Sequence, residues 1–487
     1  MKKTIIIIGS GFASLSASCY LAKAGFDVTI LEKNKTIGGR ARQLKRDGFT
    51  FDIGPTWYWM PDVFERFFSD FSKSSTSYYS LEKLNPAYSV YFGKDDYITI
   101  EDTLEKIIKA FEKEEKGSSK KLKKFIKNAK SNYDIAIKDL VYNPGVSPLE
   151  LITLKTAKKV NQFFSNIKRD VRKEFKNERL IKILEFPVLF LGAKPSDTPS
   201  FYSFMNYADF GLGTFHPKKG MYEVILAIEA LAKELGVKIK TNAPVEKIIT
   251  TNKQATGVVC NGITHHANIV LSGADYHHTE TLLEKPLRQY SESYWNKKTF
   301  APSSLLFYVG FNKKLVNVNH HTLFFDVDFD VHAEAIYDNP KWPENPLFYA
   351  SFPSKTDDNC APNGNEAGIF LIPLAPGIED TQKLRELYFN KIIDRFENLT
   401  SQNVKKHVIF KESFCINDFV KDYNSYKGNA YGMANTLTQT AFLRPKLKSK
   451  KVKNLFFTGQ LTVPGPGVPP SLISGKLVSE LIIKNND

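Results

Sequence analysis

The chain opens with an apolar run, a glycine turn and a helical pattern. Residues 5 to 14 read IIIIGSGFAS, and an amphipathic stretch then leads to VTILEK at 28 to 33. A continuous run of apolar residues is typical of a buried parallel strand, and the spacing after the glycines predicts a helix. The pattern therefore predicts a strand–helix–strand unit whose second strand ends in Glu32.

Further along the chain the pattern changes twice. Residues 217 to 250 return to a helix and a strand, and ANIVLSGADY at 267 to 276 is another buried strand that ends at a glycine. From about 300 to 420, segments such as SSLLFYVGF and GIFLIPL predict an antiparallel sheet. NLFFTGQ at 454 to 460 predicts a last strand, and residues 471 to 484 predict a closing helix.

These elements predict a mixed α/β (α+β) fold whose domains are interleaved along the chain. We assign residues 1–70, 217–300 and 445–487 to a discontinuous, Rossmann-like dinucleotide-binding domain. An inserted substrate domain with an antiparallel sheet comprises residues 80–100 and 300–440, and residues 101–200 form a basic, helical region.

The first glycine turn has the spacing of a dinucleotide-binding loop. Gly9 permits the tight turn, and Gly11 lets the backbone approach a pyrophosphate at the N-terminus of the following helix. Glu32 suits an adenosine ribose hydroxyl. Ser14 stands where the fingerprint has glycine or alanine, so we expect the helix and the strand to lie slightly farther apart there.

A second glycine turn indicates whether the cofactor is a flavin or a nicotinamide dinucleotide. Gly38, Gly39 and Arg40 follow Glu32 at the spacing seen in flavoproteins, and nicotinamide enzymes do not need this turn. Its backbone would pass under the pyrophosphate of FAD, while Arg40 would donate to phosphate. The alternative is a surface turn with a solvated arginine. Together the two turns favour FAD over NAD.

The charge of the chain is concentrated in the helical region. Of a formal net charge of +15, residues 101–182 carry 21 Lys or Arg against 12 Asp or Glu. In 113–130 and 160–184 basic residues alternate with Phe, Ile and Leu, a pattern that suits an anionic bilayer surface. The alternative is a pair of packed helices with a solvated basic face. Nucleic-acid binding is disfavoured because no recognised reading module accompanies the charge.

Neither the apolar runs nor the cysteines indicate export or a membrane span. The longest apolar runs fall well short of the ~18 residues that a spanning helix needs. Met1-Lys2-Lys3 before IIII can mimic a secretory signal, but these residues are needed for the first strand. The cysteines, Cys19, Cys260, Cys360 and Cys415, form no CxxC pair and predict reduced thiols in a cytoplasmic protein.

Adjacent histidines invite a metal interpretation. The pairs are His265-His266, His277-His278 and His320-His321. Neighbouring side chains on a strand point to opposite faces, and no HxH or HExxH spacing is present. We therefore predict no metal site.

Four motifs carry a resemblance to a known family. They are residues 9–42 with 51–68, HHTLFFDVDF at 320–329, residues 422–445, and NLFFTGQLTVPGPGVPPSLISGK at 454–476. Through them the chain resembles, nearly end to end, the bacterial-type phytoene desaturases, which form the carotenoid desaturase branch of the FAD-dependent amine oxidase-like flavoproteins. Residues 9–42 belong to the whole flavoprotein superfamily, and the other pieces narrow the resemblance to carotenoid desaturases and their close relatives.

The resemblance implies roles for particular residues. Gly9, Gly11, Ala13, Glu32, Lys33, Gly39 and Arg40 would bind the ADP half of FAD. Gly54, Pro55 and Thr56 would lie near the isoalloxazine, Val245 would pair its backbone with adenine, and Gly459, Gln460, Gly467, Val468 and Pro469 would cover the ribityl chain and the flavin. Gln460 stands where the family usually has a small residue, and Pro466 where it often has Gly or Ala.

The implied reaction is the stepwise desaturation of phytoene to a more conjugated carotene, and lycopene is the first candidate product. Side chains cannot accept a hydride, so the flavin must. A long hydrocarbon must be recognised by an apolar tunnel. The aromatic residues expected to line it are Trp57, Tyr58 and Trp59, with Phe64, Phe67 and Phe68. Ordinary core packing is the alternative for each of these. No acid–base pair stands out, so we name no catalytic residue.

The sequence leaves other functions open. Relatives act on hydroxylated or shorter carotenoids, and amine or porphyrinogen oxidases share the flavin fingerprint. A non-catalytic flavin-binding or membrane-surface protein is a third class. For the desaturase we expect an electron acceptor such as oxygen or a quinone, no nucleic-acid partner, and a cytoplasmic protein bound peripherally to the inner face of the cell membrane.

Overall fold

The structure is a computed structural model that describes residues 2–486. Its strands are β1 (Thr4–Ile8), β2 (Asp27–Leu31), β3 (Gln43–Arg46), β4 (Phe49–Asp52), β5 (Leu81–Lys83), β6 (Tyr88–Gly93), β7 (Asp96–Ile100), β8 (Phe215–Pro217), β9 (Lys238–Lys240), β10 (Val245–Thr251), β11 (Gln254–Cys260), β12 (Ile263–His266), β13 (Ile269–Ser272), β14 (Ser303–Phe311), β15 (His321–Phe324), β16 (Phe348–Ser351), β17 (Glu366–Leu374), β18 (Val408–Phe414) and β19 (Leu455–Phe457). Its α-helices are α1 (Phe12–Lys23), α2 (Pro61–Ser69), α3 (Leu104–Glu114), α4 (Ser118–Ile135), α5 (Leu154–Ala157), α6 (Val160–Phe164), α7 (Ile167–Glu174), α8 (Glu178–Glu185), α9 (Phe204–Tyr207), α10 (Tyr222–Glu234), α11 (Tyr276–Thr281), α12 (Glu292–Asn296), α13 (Phe329–Tyr337), α14 (Gln382–Thr400), α15 (Ile416–Tyr423) and α16 (Val468–Lys484).

A five-stranded parallel sheet forms the dinucleotide-type domain, with its strands in the order β19-β13-β1-β2-β9. The isoleucines of β1 are buried on both faces. Ile5 and Ile7 pack in the core that contains α1, α10 and α16, whereas Ile6 and Ile8 pack toward the small antiparallel sheet β10-β11-β12. All five strands lie within the three separated segments that the pattern predicts for this domain.

Helix α1 packs closely against the segment after β13 and against α16 near Ser14. A Cβ atom on Gly273, just after β13, would lie 2.0 Å from Ser14 Oγ, and one on Gly475 of α16 would lie 2.5 Å from the carbonyl oxygen of Ala13. The wider spacing between α1 and β1 that we expected at Ser14 stays a prediction. The small residues that allow close packing are supplied by the partner elements rather than by α1 itself.

The second sheet has seven strands in the order β18-β14-β17-β16-β15-β6-β7. Its pairs are antiparallel except β6 with β15, where the strand from the early segment joins in parallel. Side chains alternate between its faces: Phe307 and Phe370 pack in one core with Phe396 of α14, while Leu306 and Leu371 face the cavity described below.

The basic region between residues 101 and 212 consists of helices that pack on both domains. On α4 the apolar side chains, Leu122, Ile126, Ala129 and Tyr133, are buried, and Ile167 and Val171 of α7 are buried too. These apolar residues therefore cannot insert into a bilayer as the sequence suggested. For these two helices the structure shows the alternative, a packed helix with a solvated basic face.

Exposed apolar side chains occur instead between these helices. They are Val146, Leu149, Ile152, Leu154, Val160 and Phe164, each more than half exposed, and we call them the apolar surface. Among the described helices, none is both long and apolar enough to cross a membrane.

Candidate active site

A cavity of about 1050 Å³ lies where the two sheets and the helical region meet. Its wall includes the carboxyl ends of β1 and β2, where open α/β sheets bind ligands. From the sequence-predicted set, the wall contains Gly9, Gly11, Ala13, Glu32, Lys33, Gly39, Arg40, Gly54, Pro55, Thr56, Trp57, Trp59, Val245, Gly459, Gln460, Gly467, Val468 and Pro469. The structure thus brings together residues that lie more than 400 positions apart in sequence.

Tyr58 is absent from this wall. Its ring stacks on Phe64 with centroids 4.3 Å apart, and its hydroxyl lies 2.7 Å from that of Tyr79 in the core. Because the segment is extended, neighbouring side chains point to opposite sides, so Trp57 and Trp59 line the cavity and Tyr58 does not. The structure contradicts the predicted tunnel role of Tyr58 and gives it the alternative role of core packing, as it does Phe64, Phe67 and Phe68.

The glycines of the two turns form a bare backbone cradle. Gly9 and Gly39 have φ of +86° and +56°, a region that favours glycine. A Cβ atom on Gly39 would lie 3.2 Å from Gly11 Cα, and one on Gly54 would lie 2.1 Å from the carbonyl oxygen of Arg40. At Gly11 a Cβ would meet no protein atom within 4 Å. The free space at Gly11 fits a ligand that approaches the backbone, as a pyrophosphate does.

Glu32 is held rigidly at the end of β2. Its Oε2 accepts hydrogen bonds from the backbone N–H and the hydroxyl of Ser10 at 2.9 and 2.6 Å, and its Oε1 accepts one from the N–H of Asn34 at 2.8 Å. The side chain is buried yet lines the cavity. A fixed carboxylate at this place fits a ribose hydroxyl donor.

Arg40 is half-buried and held by protein partners rather than fully solvated. Its Nη2 donates to Ser425 Oγ at 3.0 Å and to the carbonyl of Asn429 at 3.2 Å, whereas its buried Nε has no partner among the described residues. Burial lowers the pKa of Arg40, and the nearby Asp275 carboxylate opposes this shift. A half-buried cation with a buried, unsatisfied donor fits the phosphate of FAD better than the surface-turn alternative does.

The opposite side of this part of the cavity has polar residues that the sequence pattern did not single out. Asp275 accepts hydrogen bonds from the N–H groups of His278 and Tyr426, both at 3.2 Å. Burial lowers the pKa of His278 to about 4, and its Nε2 lies 3.0 Å from the amide nitrogen of Asn424. A neutral imidazole therefore lines the cavity close to Lys33. The sequence signal was an acidic residue, Asp275, two positions after the glycine that ends the predicted strand.

The C-terminal loop is fixed by one buried guanidinium. Arg444 is 2% exposed, and burial lowers its pKa to about 10. Its donors reach the carbonyl oxygens of Met433, Gln439, Gln460 and Thr462 and Oδ1 of Asn435, at 2.6 to 3.3 Å. It thereby ties the turn after β19 to the segment before it. Gly467, with φ of +115°, then leads into α16, whose N-terminus lies on the cavity wall.

Aromatic rings form the wall beyond the glycine cradle. The Trp57 indole lies 5.3 Å from that of Trp59, and 5.7 Å from the rings of Phe186 and Phe190, measured between centroids. All four side chains line the cavity. The aromatic wall suits a long apolar substrate, because ring faces offer large contact area without requiring hydrogen bonds.

A short chain of hydrogen bonds runs from the cavity wall to a histidine behind it. Thr56 Oγ1 is 2.8 Å from the hydroxyl of Tyr349, which is 2.7 Å from Nδ1 of His321. Nε2 of His321 is buried without a partner among the described residues. Burial holds the pKa of His321 well below its ordinary value and raises that of Tyr349, so both groups are neutral near pH 7.

One buried group has the composition of a metal site. Ligand atoms of His216, Asp357 and Cys360 lie within 4.8 Å of one another. Asp357 accepts hydrogen bonds from the N–H groups of Lys219 and Asn359 and lies 3.2 Å from Nε2 of His216. Burial raises the pKa of the Cys360 thiol, and protein donors already satisfy the carboxylate. The spacing of histidines along the chain gives no sign of this group, because His216 comes from a segment distant from Asp357 and Cys360.

The chain matches the family model of the flavin-containing amine oxidoreductases over residues 12–483. It is 38% identical over 485 residues to a carotenoid 3,4-desaturase of Haloarcula japonica, covering 99% of this chain and 98% of that protein. It is 31% identical to the 4,4'-diapophytoene desaturase (4,4'-diaponeurosporene-forming) of Staphylococcus haemolyticus, covering 99% of each.

Among solved structures, an oxidoreductase from Methanosarcina mazei has the same fold, with a TM-score of 0.63 and 16% identity over 98% of this chain and all of that one. The resemblance inferred from the motifs is confirmed by the sequence relatives, and FAD is confirmed as the cofactor by the family. The chain belongs to the flavin-containing amine oxidoreductases and, within them, to the carotenoid desaturases, and it is an FAD-dependent oxidoreductase that acts on CH–CH groups.

Proposed function

We propose that this enzyme desaturates a long, linear carotenoid, with phytoene and its conversion to lycopene as the first candidate reaction. The observation that carries the proposal is the continuity of one cavity from the glycine cradle to the aromatic wall. A ligand bound along that wall would place one of its C–C bonds beside the part of the cavity formed by residues 54–56.

When bound, FAD supplies the two-electron acceptor that desaturation requires. The residues of the chain have the tasks of binding and orientation. Gly11 and Arg40 would contact the pyrophosphate, and Glu32 a ribose hydroxyl. Trp57 and Trp59 would exclude water and hold the reacting bond in place, because orientation is the main contribution that an apolar site can make. The geometry presents no ionised acid–base pair beside Thr56, so we assign no catalytic residue.

A second candidate is the desaturation of a carotenoid that is already partly conjugated. It is favoured by the 38% identity to the carotenoid 3,4-desaturase, which exceeds the 31% to the diapophytoene desaturase. The two candidates differ in the position of the oxidised bond. The aromatic wall suits both, since neither substrate class needs polar contacts along its chain.

We further propose that the enzyme binds an anionic bilayer through the apolar surface. Leu154 and Phe164 are 87% and 81% exposed. Exposed lysines such as Lys155 and Lys158 lie in the same segment, where they would meet anionic headgroups. Phe163, beside Phe164, lines the cavity, so an apolar substrate could pass from lipid to the site without crossing water. This proposal implies a peripheral location at the cytoplasmic membrane face, with oxygen or a quinone as electron acceptor.

The test uses the purified FAD-loaded enzyme with liposomes that contain one carotenoid at a time. Phytoene, 4,4'-diapophytoene and a partly conjugated linear carotenoid are compared with putrescine, and products are followed by absorption spectra. We expect longer-wavelength absorption with at least one carotenoid and no turnover of the amine. If flavin is reduced by putrescine and by none of the carotenoids, the proposal is wrong.

A further inference from the structure

Desaturation produces a proton for which the proposed function names no acceptor. Two hydrogens leave adjacent carbons, one as the hydride that FAD accepts and the other as a proton. This proton would appear in an apolar cavity, where an unpaired charge is costly, so a group on the wall must take it up. Because the neighbouring carbon has lost a hydride, the C–H bond that breaks is far more acidic than an ordinary one. A weak, neutral base in the right place is therefore sufficient.

Tyr349 offers a neutral acceptor on the cavity wall next to Trp57. The centroids of the two rings lie 5.7 Å apart, and the Tyr349 hydroxyl lies between Thr56 Oγ1, at 2.8 Å, and Nδ1 of His321, at 2.7 Å. Thr56 and Tyr349 line the cavity, whereas His321 lies behind them. A proton that binds to the Tyr349 oxygen can therefore be passed out of the cavity through a hydrogen bond that already exists.

The surroundings of His321 leave its Nδ1 able to accept a proton. Its Nε2 is buried and has no partner among the described residues, so Nε2 can carry the ring hydrogen while Nδ1 accepts from Tyr349. Burial lowers the pKa of His321, and its ring is neutral before the reaction. The titratable rings nearest to it are those of His320, with centroids 4.5 Å apart, and of His216, whose Nε2 lies 3.2 Å from the Asp357 carboxylate. The hydride brings negative charge to the same cavity, which favours an imidazolium at this place.

Glu185 is the competing proton acceptor. This carboxylate ends α8, is 3% exposed and lines the cavity. Its Oε1 already accepts a hydrogen bond from Nε of Arg172 at 3.2 Å, and within the described part of the chain no hydrogen bond links it to Thr56. The chain through Tyr349 ends on Thr56, beside which the reacting bond is placed by the proposed function. The geometry therefore favours Tyr349.

We propose that Tyr349 accepts the proton of the desaturation and that His321 takes it over from Tyr349. This inference rests on the proposed carotenoid desaturation. As the substrate C–H bond breaks, its electron pair becomes the new π bond and its proton binds to the Tyr349 oxygen, while the hydroxyl proton of Tyr349 moves to Nδ1 of His321. The imidazolium keeps this proton until the electron acceptor, oxygen or a quinone, is reduced by two electrons and two protons.

The first experiment follows the anaerobic reduction of the flavin by a linear carotene in neutral liposomes, using the FAD-loaded enzyme. Tyr349→Phe removes the hydroxyl, and His321→Asn keeps an acceptor oxygen for Tyr349 but cannot be protonated. Tyr388→Phe is the matched control, because it removes a buried tyrosine hydroxyl that donates to the carbonyl of Pro343 at 2.6 Å, outside the cavity wall. Glu185→Gln tests the competing acceptor.

We expect Tyr349→Phe and His321→Asn to slow flavin reduction at least about tenfold with unchanged flavin content and KM, because the proton loses its acceptor. Tyr388→Phe and Glu185→Gln should preserve the rate. An unchanged rate in Tyr349→Phe, or in His321→Asn, would overturn the inference. A loss in Glu185→Gln that Tyr349→Phe does not share would overturn it too and would assign the proton to the carboxylate.

The second experiment needs no carotenoid. The midpoint potential of the bound FAD is measured between pH 7 and 9 in the unaltered enzyme and in His321→Asn. If His321 takes up a proton when FAD is reduced, the potential should fall about twice as steeply with pH in the unaltered enzyme, because two protons rather than one accompany the two electrons. Equal slopes in the two proteins contradict the inference. If no carotenoid reduces the flavin, the proposed function fails, and the two slopes alone decide whether His321 holds the proton.

Discussion

The imidazole of His321 lies parallel to the indole of Trp57, with the ring centroids 4.0 Å apart and the planes 11° from each other. Trp57 lines the cavity and His321 does not. The histidine therefore supports the aromatic wall from behind, and through Nδ1 it also supports Tyr349. One buried imidazole orients two side chains that line the cavity.

We predict that His321→Leu lowers kcat about tenfold with unchanged flavin content, because one hydrogen bond and one ring contact are lost. Steady-state kinetics and the flavin absorbance of the purified variant check this. Tyr349→Phe removes the same hydrogen bond, so the double variant should lose less than the two single losses combined. Fully additive losses would show that the two residues act separately.

Gly11→Val should give a folded protein without flavin. The protein leaves open space around Gly11, so the new side chain meets only the cofactor. Circular dichroism should match the unaltered enzyme while the absorbance near the flavin bands disappears. Gly54→Ala is the contrasting variant, because its Cβ would clash with backbone and should cost folding stability as well. Normal flavin occupancy in Gly11→Val would contradict the placement of the pyrophosphate.

Arg444→Met should destabilise the protein by at least about 3 kcal/mol, because several buried carbonyl oxygens lose their donor at ~1 to 3 kcal/mol each. The C-terminal loop should then release flavin at lower denaturant concentrations than in the unaltered enzyme. Urea unfolding followed by both tryptophan and flavin fluorescence measures the two effects. Arg444→Lys should fall between the two proteins, since lysine can replace only part of the donor set.

Leu154→Ser combined with Phe164→Ser should weaken binding to anionic liposomes at least about tenfold, since each apolar side chain can contribute ~1.5 to 3 kcal/mol when it leaves water. Co-sedimentation at two salt concentrations checks this. Replacing Lys120, Lys121, Lys123 and Lys124 by Gln serves as the comparison and should reduce only the salt-sensitive part. Undiminished binding of the double variant would exclude the apolar surface as the docking site.

The stability of the protein should depend on the ionisation of Glu185. Burial raises the pKa of this carboxyl to about 7, against the opposing effects of Arg172 and Lys168, and Asp330 adds to the rise. A carboxyl with a raised folded-state pKa binds its proton more tightly in the folded protein, so its contribution to stability falls as pH rises from about 4.5 to 7. Glu185→Gln should therefore be more stable than the unaltered protein at pH 8, by up to about 3 kcal/mol, and not at pH 4. Thermal unfolding at the two pH values tests this, with Glu178→Gln as the control.

The sequence predicted those parts of the site that depend on local pattern. The strand–turn–helix at 4–23 and Glu32 at the end of β2 follow from residue order alone, because hydrophobic period and glycine spacing act within a few residues. Arg444 and Glu185 could not be predicted in the same way. Their importance lies in what distant segments place around them: carbonyl oxygens from 433–462 for Arg444, and the cavity itself for Glu185.

Tyr58 shows a second limit of prediction from sequence, the direction in which a side chain points. The pattern identified an aromatic cluster, but which ring faces the cavity depends on the extended backbone at 57–59, and that depends on packing against Tyr79. The expected membrane role of the apolar faces of α4 and α7 failed for a related reason. Amphipathic spacing predicts that a helix has an apolar side, but it does not predict whether protein or lipid covers that side.

The position of β19 at the edge of the parallel sheet constrains how the enzyme is made in the cell. Strand β19 pairs with β13, and the loop and helix after it complete the cavity wall through Gly459 and residues 467–469. During synthesis, the glycine cradle leaves the ribosome long before these last segments do. FAD can therefore be enclosed only after synthesis has passed residue 469, and translation that stops before that point should yield chains that cannot retain the cofactor.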